Sequence, residues 1–349
     1  MVNDKKHEIL QAIKSLSAEL GRAPSRDEFR ERTGLEYYLK KHFRSYSVAL
    51  HACGMTEASF LGGGSKAKKD FKYKKSHIQG HTVHDYELNV IFDRAGNPKS
   101  LKVLCIPDTH VPFHDVAAVK VLMQFIDFYK PDVIIILGDF MDMNGISHWP
   151  SSSFGPRRIV PEILEGRKLL AEIKATAKTT TSFFYLEGNH EDWLKQALAA
   201  KLPELADGLD QLGTDLTVQG FLQLAQLGIE FIPLNHILRF TKTLGYTHGL
   251  FTSDNHPKKH LDVLKCSLIY GHLHDVKSTN QTSVDGHMEA HSAGTLSRLD
   301  APFLKGRPNN WVHNLTTVEY FPDGQFHTLQ NKIFNGKMSF MGQVFDGNT

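Results

Sequence analysis

Apolar positions recur along this chain in two rhythms, and the change between them divides it. Over the first sixty residues the spacing is helical. Ile9, Ile13, Leu16 and Leu20 share one face of a helix that Gly21 would end. "PSRDEF" then offers Ser25 as an N-cap with Glu28 three residues on, a capping box. "YSVALHAC", between Ser45 and Gly54, predicts a further short helix. From about residue 84 the apolar runs shorten into strands: "SLKVLCIP", "VIIILGD", "TSFFYLEGNH", "LGYTHG" and "CSLIYGH". The amphipathic stretches "VAAVKVLMQFIDFYK" and "EILEGRKLLAEIKATA" lie between several of them. Strand alternating with helix predicts α/β layers around a sheet. "YELNVIFD" and "SLKVLCIP" flanking "RAGNPK" predict a hairpin at the sheet's start. The alternating text after residue 311, with "PDG" inside it, predicts a last hairpin completing a second sheet.

The expected organisation is a small all-α domain over 1–60, a basic flexible linker over 61–80, an α/β domain over 81–335 and a loose tail over 336–349. The linker rests on "LGGGSKAKKDFKYKKS", a glycine start followed by a lysine run.

Composition narrows the class. Of 349 residues 41% are hydrophobic and 22% charged, as in ordinary globular proteins. No apolar run is long enough to span a bilayer, and "MVNDKKHEIL" lacks the apolar core of an export signal. Cys53, Cys105 and Cys266 are scattered, which suits a reducing compartment and a cytoplasmic location. The net charge of +2 conceals an asymmetry. Residues 1–75 hold 16 Lys and Arg against 9 Asp and Glu, and the remainder holds 24 against 29. A basic head on an acidic body suits a polyanionic partner.

The chemistry sits where the strands end. Asp108 and His110 follow the first, Asp139 and Asp142 the second, and Asn189, His190, Glu191 and Asp192 the third. His248 follows the fourth, and His272 and His274 the fifth. Side chains two apart in an extended segment point to one side, so the imidazoles of "GHLHD" reach one small volume. In open α/β sheets ligands gather outside the carboxyl ends of the strands. Carboxylates at the ends of buried strands carry a desolvation cost that cations would offset. Oxygen and nitrogen donors without thiolate suit Mn²⁺, Fe or Zn²⁺ better than Mg²⁺. Cys105 reads as a packed strand residue.

These blocks, D-x-H, G-D-x-x-D, G-N-H-E, H-G and G-H-x-H in that order, resemble the calcineurin-like metallophosphoesterase superfamily over about 101–300. The resemblance implies a layered metallophosphoesterase β-sandwich flanked by helices, holding two divalent ions, Mn²⁺ foremost. It implies Asp108, His110 and His274 as ligands of the first metal, Asp139 as the bridge, and Asn189, His248 and His272 as ligands of the second. His190 stands where the family has its catalytic histidine, and Asp142 where some members keep an acid that orients it. Glu191 and Asp192 take structural positions. A hydroxide held between two such metals would attack phosphorus in line, with His190 near the leaving group.

Arg157 and Arg158 close the loop "MNGISHWPSSSFGPRR" after the bridging Asp and are candidate phosphate binders. His256, Lys258, Lys259 and His260 read as a solvated loop, and "SAGTLSR" as a structural turn closing the site wall. The text "GRAPSRDEF…YYLKKHFRSYSVALHACGM" is similar to the helical repeat that accompanies many homing endonucleases, matching at Pro24, Ser25, Phe43, Ser45, Ala52 and Gly54. That likeness implies DNA as a partner for residues 1–75. The combination resembles mobile-element or bacteriophage proteins.

Two functions compete: a DNA-directed phosphodiesterase or nuclease, and a phosphatase or nucleotide phosphodiesterase whose head serves assembly. No arginine directly follows Asp142, as it often does in this family's protein phosphatases, and that weighs against a phosphoprotein substrate. A complete ligand set weighs against a binding protein with a vestigial site.

Overall fold

Three consecutive strands read as unbroken apolar runs because both of their faces are covered. In the computed structural model these are β5 (Leu101–Ile106), β6 (Val133–Ile136) and β7 (Ser182–Leu186). Leu104, Ile106, Ile134, Ile136, Phe183 and Tyr185 point to one apolar layer. Val103, Cys105, Val133, Ile135, Phe184 and Leu186 point to another. The period of two is intact, with no polar face for it to reveal. Each such side chain contributes about 1.5–3 kcal/mol by leaving water.

The structure describes residues 2–20, 24, 26–43, 46–53, 73–78, 81–86, 91–92, 98–146, 158–202, 216–284, 286–301, 304 and 306–349. The chain divides into two units, Met1–Asp70 with Phe92–Pro98, and Phe71–Ile91 with Lys99–Thr349. Among the described residues no helix is long and apolar enough to cross a membrane.

Among its described residues the smaller unit holds four helices: α1 (Val2–Leu20), α2 (Arg26–Thr33), α3 (Glu36–His42) and α4 (Tyr46–Ala52). Ile9, Ile13 and Leu16 meet Phe29, Leu39, Phe43 and Leu50 in one core. Tyr46 packs on Phe29, ring centroids 5.3 Å apart, and donates its hydroxyl to the Pro24 carbonyl at 3.1 Å. Gly21, Ser25 and Ser45, expected at helix ends, lie outside the described residues.

The larger unit is a two-sheet sandwich. One sheet has the order β15-β14-β5-β6-β7-β8 and the other β1-β2-β9-β10-β11-β13-β12. The remaining strands are β1 (Tyr73–Ile78), β2 (His81–Tyr86), β8 (Ile229–Ile232), β9 (Ile237–Arg239), β10 (Leu244–Thr247), β11 (Ser267–Tyr270), β12 (Ser278–Ser283), β13 (Gly286–Ser292), β14 (Asn314–Tyr320) and β15 (Phe326–Lys332). Helices α5 (Val116–Tyr129) and α6 (Ile159–Thr176) contribute to the layer outside the first sheet. Between the sheets lie Leu238, Leu244, Tyr246 and Ile269 with the second set of strand residues. Strands β5 to β8 run parallel, so their carboxyl ends share one edge.

Four expectations are corrected. The span 61–80 is not linker throughout: 61–72 and 79–80 lie outside the described residues, but 73–78 is β1, paired antiparallel with β2 from Tyr73↔Tyr86 to Ile78↔His81. The hairpin after residue 311 forms as β14 and β15 but joins β5 in its own sheet, with Thr316 opposite Cys105. The tail is not loose. Strands β16 (Lys337–Phe340) and β17 (Gln343–Asp346) pair, and Phe340 and Phe345 set their rings 5.1 and 5.5 Å from that of Phe125. The early hairpin is reduced to β3 (Ile91–Phe92) and β4 (Pro98–Lys99), and 93–97 lie outside the described residues.

Candidate metal centre

The candidate ligands stand just beyond the carboxyl ends of β5, β6, β7, β10 and β11, where the chain turns sharply. His110, Asp139, His272 and His274 have φ of 51°, 46°, 76° and 61°. Four non-glycine residues in the left-handed region at one site are strain held by their surroundings, as at functional sites. Backbone bonds supply part of the hold. Thr109 and His110 donate their N–H groups to the Asp139 carbonyl, and the His272 N–H lies 3.0 and 2.9 Å from the Asp108 carboxylate oxygens.

Two groups of donor atoms result. Asp108, His110, Asp139 and His274 bring one atom each within 4.8 Å of one another, and so do Asp139, His248 and His272. Asp139 belongs to both. Asn189 joins the second group through Oδ1, 3.0 Å from His248 Nε2. His110, Asp142 and His190 form a third cluster.

Three imidazoles are pinned through Nδ1, so that Nε2 faces inward with a lone pair. His110 donates to Asp142 Oδ1 at 2.9 Å, His248 to the Leu137 carbonyl at 2.9 Å and His190 to the Asp142 carbonyl at 2.7 Å. Acceptors then confront acceptors. His248 Nε2 is 3.0 Å from Asn189 Oδ1 and 3.3 Å from Asp139 Oδ2, and His110 Nε2 is 3.0 Å from His274 Nε2. Among the described residues Nδ1 of His272 and of His274 is buried without a hydrogen-bond partner. Such a constellation needs protons or cations at its centre. Burial opposes charge on His110, yet Asp142, Asp139 and Asp108 push its pKa up to about 9. Burial likewise opposes charge on His248, and Asp139 and Asp108 push it up to about 10. Divalent ions fit the same demand, and the donor set suits a pair of them.

Asp142 differs from expectation. Its carboxylate serves His110, and the group facing His190 Nδ1 at bonding distance is its backbone carbonyl, with Oδ1 at 3.7 Å. Burial lowers the His190 pKa, and His110 adds to that against the pull of Asp139 and Asp142. The imidazole lies against the Trp193 indole, centroids 4.0 Å apart. Glu191 is buried behind the centre. Its Oε2 accepts from the N–H groups of Asp139 and Gly188, and its Oε1 from the Met141 N–H and the Tyr185 hydroxyl. Arg158 is exposed at the start of α6, and Arg157 lies outside the described residues. Cys105 is fully buried in the core, and Thr295 donates its hydroxyl to the Asp108 carbonyl.

Gly271 marks one close approach at the site. A Cβ there would collide with Asp108 Oδ1. Gly271→Ala is expected to displace that carboxylate and weaken divalent-metal binding by about 10–100-fold. Calorimetric titration with Mn²⁺ checks this, and wild-type affinity would refute it.

The expected solvated loop at 256–260 is instead a helix, termed α8 below; α7 is Asn189–Lys201 and α8 is His256–Leu264. Lys258 and Lys259 face solvent, but His256 and His260 are buried. The available signal was Pro257 in the first turn. His260 donates Nδ1–H to the His256 carbonyl at 2.7 Å and accepts the Leu250 N–H on Nε2 at 3.0 Å. Burial, the largest cause, lowers its pKa to about 4. An unfolded histidine titrates near 6.5. Between these values only the unfolded chain takes the proton, so stability falls as pH drops from about 6.5 to 4, by up to about 3 kcal/mol for this group. Urea unfolding across that range is expected to show a steeper pH dependence in wild type than in His260→Gln. Parallel curves would refute it.

A sandwich carrying carboxylates and imidazoles of this kind at its strand ends has the donor set of a metal centre, and the family it belongs to implies a metal-dependent hydrolase. The chain belongs to the calcineurin-like phosphoesterase family, whose model matches residues 101–294. The model of the homing endonuclease associated repeat matches residues 4–56. Two curated relatives are the Gene 54 proteins of Mycobacterium phages D29 and L5. The first is 26% identical over 264 residues, covering 71% of this chain and 99% of its own. The second is 23% identical over 266 residues, with the same coverage. Vacuolar protein sorting 29 from Cryptosporidium parvum aligns in structure with a TM-score of 0.39 and 12% identity, over 71% of this chain and 99% of its own.

Proposed function

We propose that this protein is a dinuclear-metal phosphodiesterase acting on DNA, with residues 1–75 as its nucleic-acid anchor. One observation carries the reading: a homing-endonuclease-associated repeat and a calcineurin-like phosphoesterase region with clustered candidate metal donors lie on one chain. Asp108, His110 and His274 would hold the first ion, Asn189, His248 and His272 the second, and Asp139 both. When bound, two divalent ions, Mn²⁺ first and Fe, Zn²⁺ or Mg²⁺ after it, neutralise phosphate oxygens and lower the pKa of the attacking water. Asp142 fixes the ring of His110 so that its Nε2 lone pair stays available. His190 keeps Nδ1 on the Asp142 carbonyl and moves a proton at Nε2, delivering it to the leaving oxygen. Arg157 and Arg158 would be phosphate contacts.

The head supplies affinity through lysines and arginines, so binding should weaken steeply with salt. Some of its arginines are already engaged: Arg32 with Glu19 at 2.6 Å and Arg26 with Glu36 at 2.7 Å. The test is Mn²⁺-dependent cleavage of labelled single- and double-stranded DNA by the full chain and by a chain starting at Phe71, ahead of β1. Cleavage by the full chain, reduced on removing the head, is the expected result. Intact DNA with hydrolysis of a generic phosphate ester would overturn the DNA reading in favour of a phosphatase or nucleotide phosphodiesterase.

A further inference from the structure

We infer that α8 is a clamp on the two ligand loops that follow β10 and β11, with His256 and His260 as positioning residues for the metal pair. This rests on the dinuclear reading above.

The helix lies in sequence between His248 and His272. His256 and His260 are four apart, hence on one helix face. Leu261 supplies the apolar packing of that helix against Leu268, Tyr270 and Ala290. Two buried imidazoles are not needed for that contact, and burying them is costly unless they are bonded. They are bonded, and at particular places. His260 Nε2 takes the N–H of Leu250, two residues after His248. The His260 ring stacks on Tyr270, two residues before His272, with centroids 4.1 Å apart. His256 meets the Tyr270 hydroxyl through Nδ1 at 2.7 Å. Its Nε2 lies 3.2 Å from Oδ2 of Asp275, the residue after His274. Asp275 is held in turn: its Oδ1 accepts from the Ser292 hydroxyl at 2.8 Å, and its backbone carbonyl from the Gly294 N–H at 3.0 Å. Lys277 Nζ also reaches Asp275 Oδ2, at 3.1 Å.

Four of these contacts end within two residues of a candidate ligand, on both loops. His272 and His274 hold left-handed backbone conformations that need support. One rigid helix that grips both loops sets their mutual register. The second donor group draws His248 from one loop and His272 from the other, so it is the group that this register assembles.

The experiment measures tightly bound Mn²⁺ per chain after gel filtration, with the low-temperature EPR spectrum, for wild type, His260→Ala and His260→Gln. Thermal melting reports folding. Wild type is expected to hold two ions with an exchange-coupled spectrum. His260→Ala should weaken one of them by about 10–100-fold and show an isolated-ion spectrum. His260→Gln should restore the pair, because its Oε1 can accept the Leu250 N–H. If His260→Ala does not fold, His256→Ala carries the test, with the same loss expected and His260 still stacked on Tyr270. Retention of both ions at wild-type affinity in a folded alanine variant would overturn the clamp, as would equal losses in His260→Ala and His260→Gln. A wild type that binds a single ion would instead overturn the dinuclear reading, and the clamp with it.

Discussion

Replacing His190 with alanine is expected to lower metal-dependent phosphodiester cleavage by about 10²–10⁴-fold, the usual contribution of a positioned general acid, with metal stoichiometry unchanged. The geometry separates the two properties. Asp108, His110, His248 and His274 lie within hydrogen-bond distance of other donor atoms of their groups. His190 Nε2 stands back, 3.9 Å from Asp139 Oδ2. Its ring is set by the Asp142 carbonyl on one side and the Trp193 indole on the other, and neither contact depends on metal. Steady-state cleavage rates and metal content by mass spectrometry, on one preparation, check both halves. Full activity would exclude His190 from proton transfer. Loss of an ion together with activity would make it a ligand.

The donors were legible because the family's chemistry is written at strand ends, and strand ends are what a run such as "VIIILGD" announces. Parallel strands buried on both faces leave long apolar words, and the polar residue that breaks each word is the one delivered to the site. Their partners were harder to read. Asp142 sits near both His110 and His190, and no spacing rule states which ring its carboxylate meets. In space the carboxylate meets His110 and the backbone carbonyl meets His190.

Elsewhere the misreadings share a cause: hydropathy hides buried polar groups and short edges. "HPKKHL" averages to a polar string because two lysines face solvent, although both histidines beside them are buried and fully bonded. The lysines that end "LGGGSKAKKDFKYKKS" read as linker, but Lys74 and Lys75 are exposed residues of an edge strand and hide its strand pattern. At the carboxyl end "KMSF" and "QVFD" alternate, and the connecting Met341 and Gly342 both have positive φ, 47° and 82°. That is the backbone of a tight hairpin without the Asn-Gly text that usually signals one. Contact with Phe125, more than two hundred residues away, then makes the hairpin part of the core.

Glu191→Ala is expected to destabilise the protein by on the order of 3–5 kcal/mol and to abolish tight metal binding. The carboxylate is 1% exposed and accepts four bonds: from Asp139 N, Gly188 N, Met141 N and the Tyr185 hydroxyl, at 2.7–3.0 Å. Two of these fix the peptide on either side of the strained Asp139–Met141 turn, and a third fixes Gly188, whose missing Cβ leaves room for the Asp139 backbone and carboxylate. Burial and the nearby Asp139 charge push the Glu191 pKa up to about 7, against the pull of the Met141 N–H and the Tyr185 hydroxyl. Alanine would leave three buried N–H groups unpaired and release the bridging residue. Glutamine is expected to recover little, because an amide has one accepting atom where the site asks for two. With its NH₂ toward Met141 and Tyr185, only the hydroxyl can reverse its role, and the Met141 N–H still faces a donor. The opposite orientation sets the NH₂ against the N–H groups of both Asp139 and Gly188. Urea midpoints with Mn²⁺ titrations on Glu191→Ala, Glu191→Gln and Glu191→Asp decide the matter. A glutamine variant with wild-type stability and two ions would show that the site does not need two accepting oxygens behind Asp139.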